Sequence, residues 1–189
     1  VAGKTLLEHE VIRLRQAKRI DKIVIATTVN EKDDAVAACA KKIGVDVFRG
    51  SELDVLDRYY QCALQYPDYS IIIRATGDCP VIDPRVVDDV AAFFQSGNYD
   101  YVNNVFEPTF PDGMDIEVFT RRVLELSWRD ATMQSEHEHV TIYICNHPEL
   151  FKLGSFKSPY DFSNFRLTVD QSVDFEVVSF VIEHSSPTD

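Results

Sequence analysis

A chain of 189 residues, 45% of them hydrophobic, has the length of one domain and the apolar content for a real core. Its net charge of −12 argues against general nucleic-acid affinity, which needs clustered Lys and Arg, but leaves room for an anionic substrate in a locally basic or metal-loaded pocket. Cys39, Cys62, Cys79 and Cys145 form no CxxC pair and read as reduced, cytoplasmic thiols, and no apolar run approaches the ~18 residues of a bilayer span.

The first element in chain order is an amphipathic helix over roughly 4–18, striped by Leu7, Val11, Leu14 and Lys18, where a signal peptide would show a continuous apolar stretch. Ile23–Ala26 reads as a strand, 31–43 as a helix ended by Gly44, and Val45–Phe48 as the next strand. Leu56, Tyr59, Tyr60 and Ala63 stripe a further helix. The apolar run Ile71–Ile73 is a buried strand, and a helix with Pro at its start covers Pro84 to about Phe94. This alternation predicts an α/β fold built on a doubly wound, mostly parallel mixed sheet. Beyond residue 95 the pattern loosens. Tyr99–Asn103 is a strand, 104–113 a loop, and Met114–Phe119 an alternating strand. Helices follow near 120–129 and 135–146, then short strands at Phe151–Leu153 and Phe165–Thr168. A last helix carries Phe175, Val178 and Ile182. No repeat or linker divides the chain, so 1–189 is expected to be a single domain with an excursion at about 104–119.

The segment Arg74-Ala75-Thr76-Gly77-Asp78-Cys79-Pro80 stands at the carboxyl end of the Ile71–Ile73 strand. Ligands of open α/β sheets bind at that edge. A lone carboxylate there suits Mg²⁺ and a nucleotide phosphate, because a hard cation takes oxygen ligands and few protein carboxylates. A plain turn Asp fits the same residues. A doubly wound sheet also begins with a strand and a phosphate-binding turn, whereas only Val1-Ala2-Gly3-Lys4 precede the first helix.

Several segments together carry a resemblance. They are Phe48 to Tyr59, Arg74 to Pro84, Tyr99 to Asn103, Phe110 to Phe119, Ser135 to Thr141 and Leu167-Thr168-Val169-Asp170. In this order the chain resembles the spore-coat-polysaccharide branch of the cytidylyltransferases, which is similar to the acylneuraminate and 3-deoxy-octulosonate (KDO) cytidylyltransferases. The resemblance implies a nucleotide-diphospho-sugar-transferase fold. It also implies transfer of CMP from CTP to a sugar, with release of pyrophosphate and a requirement for Mg²⁺, in a homodimer. Asp78 and Asp170 would match the metal carboxylates, with Arg74 beside them as a catalytic cation. Gly50, Ser51, Asp57, Arg58, Arg74, Thr76 and Gly77 would meet the nucleotide. Asp112, Asp115, Glu117, Glu138 and His139 would meet the sugar. These enzymes start with a strand and a loop carrying Arg, Ser, Arg, Leu, Pro, Gly and Lys that grips the triphosphate. The sequence as it stands lacks both, and poor turnover is expected of it.

The residues admit other roles. Asp170 precedes the last helix and can be its N-cap, although Gln171 or Ser172 can take that part. Arg74 can pair with Asp83 or Asp57, and Arg58 with Asp54. Asp115 and Glu117 share one face of a strand that can simply be solvated, and His139 can be a buried, hydrogen-bonded side chain near Thr141. Glu136-His137-Glu138-His139 lacks the spacing of a zinc site. Two further functions share the fold: a nucleotide-sugar-dependent glycosyltransferase, for which no D-x-D follows the Ile71–Ile73 strand, and a non-catalytic nucleotide- or sugar-binding relative.

Overall fold

A computed structural model describes residues 1–185. Helix α1 spans Leu6–Leu14. Thr5 and Glu8 close a capping box at its start: the Thr5 hydroxyl accepts from the Glu8 amide at 3.1 Å and the Glu8 carboxylate from the Thr5 amide at 2.6 Å. The helix stops four residues short of the expected end because tertiary contacts redirect the chain. The Arg15 guanidinium donates to the Ile43 carbonyl, and the Asp88 carboxylate accepts from the Lys18 and Arg19 amides.

Strand β1 (Val24–Thr28) pairs in parallel with β2 (Asp46–Gly50), with α2 (Asp34–Lys42) between them in sequence. Helix α3 (Val55–Leu64) follows, capped by the Asp54 carboxylate. Next come β3 (Ile71–Arg74) and α4 (Pro84–Ser96), which starts on an Asp83 cap and Pro84 as the sequence predicts. The remaining elements are β4 (Tyr101–Asn103), β5 (Glu117–Thr120), α5 (Arg121–Asp130), α6 (Gln134–Glu138), α7 (Ile142–Asn146), β6 (Leu153–Ser155) and α8 (Ser172–His184). A four-stranded sheet has the order β3-β5-β4-β6, in which β5 alone runs against its neighbours and β4–β6 is parallel. Among the described residues no ladder joins β1–β2 to this sheet.

Alternate residues of the central strands serve two cores. Val102 and Val118 face a cluster with Leu14, Ile82, Val87, Val90, Ile116 and Val178, under α1, α4 and α8. Tyr101 and Phe119 face a second cluster with Leu56, Val123, Leu124 and Ile144, under α3, α5 and α7. This period of two is what a sheet covered on both faces requires.

Three expectations are corrected. The strand expected from Met114 begins at Glu117, because the buried Asn104 amide group takes the partner's place: it donates to the Met114 carbonyl (2.7 Å) and accepts from the Ile116 amide (2.8 Å). The strand expected at Phe165–Thr168 is a single parallel bridge between Asp112 and Arg166. The helix expected over 135–146 is split by Val140, whose φ of +46° no helix accommodates. The excursion at 104–119 is also better anchored than the sequence suggests. Met114 is buried in the first core, and Phe110 stacks on Phe156 at 5.9 Å. Phe106 stays 44% exposed.

Candidate active site

At the carboxyl end of β3 the chain turns sharply, with the Cys79 amide donating to the Thr76 carbonyl at 3.2 Å. Asp78 stands half-buried on this turn. Burial pushes its carboxyl up. Hydrogen bonds from Thr76, its own amide, Cys79 and Thr168 outweigh that and hold it below the ordinary value, so it is ionised at neutral pH. The Asp78 carbonyl accepts from the Val169 amide at 2.9 Å and the Thr168 hydroxyl at 3.1 Å. This contact bridges some ninety positions of sequence and sets Asp170 one residue beyond it.

Asp170 is not the cap of α8. Gln171 stands at the N-cap, as one of the alternatives anticipated, and Asp174 supports it, its Oδ2 accepting from the amides of Asp170 (3.0 Å) and Gln171 (2.9 Å). The Asp170 carboxylate is exposed and pairs with Arg166, which also holds Asp112 and Asp174. Asp112 therefore reaches the site already paired.

Neither carboxylate named in the sequence pairs with Arg74. Asp83 pairs with Arg85 at 2.7 Å, and Asp57 accepts from Trp128 (2.9 Å) and Gln61 (3.1 Å) between α3 and α5. Both bonds end on Asp57 Oδ1, so that oxygen serves the packing of the two helices rather than Arg74. Arg74 pairs with its cross-strand partner Glu117 instead, its guanidinium 5.7 Å from the Tyr59 ring centroid. Glu117 is only 7% exposed and also accepts from the Tyr101 and Thr141 hydroxyls, both at 2.6 Å. It has no free oxygen for a sugar, which corrects the reading of a solvated or sugar-binding strand face.

A cavity of about 160 Å³ opens here, lined by Arg74, Thr76, Val105, Asp115 and Glu117. Asp115 is pushed up to about 6, first by burial and then by Asp112, Glu117 and Asp78, against the pull of Arg74. One group escaped the sequence reading altogether. Glu10 of α1 lies against the Gly77 turn, 4% exposed, with Oε2 lacking any hydrogen-bond partner. Burial, and after it the Asp78 charge, push Glu10 up to about 8. Nothing local marks it, since its burial needs cover from both sides of α1.

The Gly50–Arg58 segment closes on itself at the carboxyl end of β2. The Arg58 guanidinium donates to the Ser51 carbonyl at 2.7 Å, and a Cβ on Gly50 would lie 2.9 Å from Phe48 Cε1 and 3.0 Å from Arg58 Cγ, so any larger residue there must push these side chains aside. Asp54 pairs with His137 at 2.9 Å, not with Arg58. Tyr59 lies within the electrostatic reach of both Arg58 and Arg74 and so connects this segment to the β3 edge. Glu138 and His139 are exposed, which overturns the buried reading of His139; the buried member of that run is Glu136, which accepts from the Thr132 and Met133 amides.

Among the described residues no three His, Cys, Asp or Glu side chains are grouped to hold a metal by themselves. A cation at this edge would take Asp78 directly and Asp170 in exchange for Arg166, two hard oxygen donors, and find its remaining ligands on a phosphate and water. That division suits Mg²⁺.

The cytidylyltransferase family model matches residues 1–184. The chain belongs to the cytidylyltransferase family. It is 38% identical over 187 residues to the spore coat polysaccharide biosynthesis protein SpsF of Bacillus subtilis, covering 94% of this chain and 75% of that protein. A cytidylyltransferase from Leptospira borgpetersenii superposes with a TM-score of 0.93 at 36% identity, over 99% of this chain and 79% of the other. The CMP:2-keto-3-deoxy-manno-octonic acid synthetase complexed with CTP matches with a TM-score of 0.72 over 97% of this chain and 89% of the other; at 15% identity this likeness establishes the nucleotide-diphospho-sugar-transferase type of fold. As a member of the cytidylyltransferase family the chain is a nucleotidyltransferase, and the expected fold class holds.

Proposed function

We propose that this cytidylyltransferase moves CMP from CTP to a hydroxyl of an acylneuraminate-like or KDO-like sugar acid, releasing pyrophosphate, with Mg²⁺ held by Asp78 and Asp170. The observation that carries the reading is the hydrogen bond from the Val169 amide to the Asp78 carbonyl, which brings two distant acidic segments together at the sheet edge where ligands bind. The Asp170 carboxylate, now balanced by Arg166, is exposed one residue beyond that contact, and a bound cation would take the place of Arg166 on it. When bound, the divalent cation supplies charge neutralisation on the triphosphate.

The chain's own residues hold and orient the substrates. Asp78, kept ionised by its hydrogen bonds, is an oxygen ligand at neutral pH. Arg74 lines the cleft and adds positive charge for phosphate oxygens. Gly50, Ser51, Arg58, Thr76 and Gly77 lie along the nucleotide side. Asp115, without a hydrogen-bond partner of its own, takes donors from sugar hydroxyls, while Asp112 acts through Arg166. Glu138 and His139, both exposed, complete the sugar side. The exposed Val105 and Phe106 are the proposed contact of a homodimer, and a monomeric mass by light scattering at roughly tens of micromolar would count against it.

The test is pyrophosphate release with each of the four nucleoside triphosphates, with KDO or N-acetylneuraminate as acceptor. Release specific to CTP is expected. Asp78→Asn should lower it by roughly a hundredfold or more while leaving the protein folded, because the Asp78 carbonyl contact is kept and the Asn oxygen can still accept from the donors around the turn. Equal release from all nucleotides, or indifference to Asp78→Asn, defeats the proposal.

A further inference from the structure

We infer that Glu117 is a positioning residue, which fixes the Arg74 guanidinium at the cleft so that its remaining N–H groups meet the phosphate oxygens of CTP. The inference rests on the nucleotidyl-transfer reading above.

Glu117 cannot itself serve a ligand, because one oxygen accepts from Tyr101 and Thr141 and the other from Arg74. Arg74 is different. Its guanidinium has five donors in a planar fork. Glu117 engages Nη1, Nε is buried without a partner, and the side chain lines the 160 Å³ cavity. Replacing a buried ion pair by apolar residues is often neutral or stabilising, so the pair is poorly explained as a device for stability alone. Orientation explains it better. Glu117 sits in register with Arg74 on β3 and with Asn103 on β4, so it is held from both sides. Asn103 donates to the Tyr101 hydroxyl (2.9 Å) and accepts from the Val105 and Phe106 amides (3.1 Å each). One network thus fixes the Arg74 fork and the Val105 wall of the same cavity. Tyr59, under the guanidinium, limits its remaining freedom.

The experiment measures CTP and cytidine binding to the full chain by calorimetry in Mg²⁺. Glu117→Gln keeps the shape and one acceptor oxygen but loses the charge that holds Arg74. It should weaken CTP by roughly ten- to a hundredfold, the loss of one charge-assisted contact, and leave cytidine, which has no phosphate, unchanged. In an Arg74→Met background Glu117→Gln should weaken CTP no further, because its effect passes through Arg74. If Glu117→Gln fails to fold, Tyr101→Phe decides: it keeps the ion pair, removes one donor, and should weaken CTP by a smaller factor while sparing cytidine. Unchanged CTP binding, equal loss of CTP and cytidine, or additivity with Arg74→Met overturns the role of Glu117. Failure of the parent chain to bind CTP would overturn the nucleotidyl-transfer reading, and this inference with it.

Discussion

Replacing Glu10 with Gln should stabilise the protein, and the gain should grow with pH. The carboxyl lies on α1 against the Gly77 turn, 4% exposed and with Oε2 unpartnered, and burial lifts it from 4.5 to about 8. Between those values the folded protein keeps the proton and the unfolded chain releases it. Stability therefore falls as pH rises through that window, and the loss is complete above about pH 8. At about 1.4 kcal/mol per tenfold change in proton affinity, the full penalty is on the order of 5 kcal/mol, with about 3 kcal/mol already present at pH 7. Gln has nearly the same shape and no charge, but its amide still lacks partners, which returns about 1 kcal/mol. A net gain of about 2 kcal/mol at pH 7 raises the melting temperature by roughly 4–8 °C for a chain of this size. Thermal melts of parent and variant from pH 5 to 8.5 should nearly coincide at the acid end and separate steadily above it. Parallel curves across that range, or a variant melting lower at pH 8, would show that Glu10 carries no such burden.

Two other perturbations test the fold around the site. Asn104→Ala removes both bonds that replace a strand partner for Met114 and Ile116 and leaves buried backbone groups unpaired; denaturant titration should show a loss of about 2–4 kcal/mol. Gly113→Ala places a Cβ 2.6 Å from the Leu167 carbonyl carbon at a φ of +101°, so it should cost at least about 2 kcal/mol by the same measurement; a loss under about 0.5 kcal/mol would mean that the Leu167–Thr168 backbone yields easily.

What the sequence conveyed was local. The Asp83–Pro84 start of α4 and the turn carrying Asp78 each announce themselves within a few residues, and the alternation of helices and strands leads to the sheet. The pairing of Arg74 with Glu117 was illegible because it depends on β3 lying beside β5, forty-three positions apart. The short β5 was illegible for a related reason: a side chain, Asn104, competes with a strand for the same backbone groups. Glu10 was hidden because periodicity marks one covered face of a helix, whereas α1 is covered on two, burying Glu8, His9, Glu10 and Arg13 alongside Val11 and Leu14. The cap position that Asp170 could have taken falls to Gln171, one of the alternatives its neighbours offered, while Asp174 holds the Asp170 and Gln171 amides, a contact set by the path of the chain into α8.

The separation of β1–β2 from the four-stranded sheet bears on how the molecule breathes. Amides that share no ladder need not open together. Those of Val24–Thr28, laddered among the described residues with β2 alone, should exchange with deuterium through a smaller opening than those of β5, which is laddered on both edges. The Gly50–Arg58 segment then belongs to the softer half and Asp78 to the stiffer one. Ordering that softer half would draw on the free energy of ligand binding, so under the proposed function affinity for the base and grip on the phosphates need not rise and fall together.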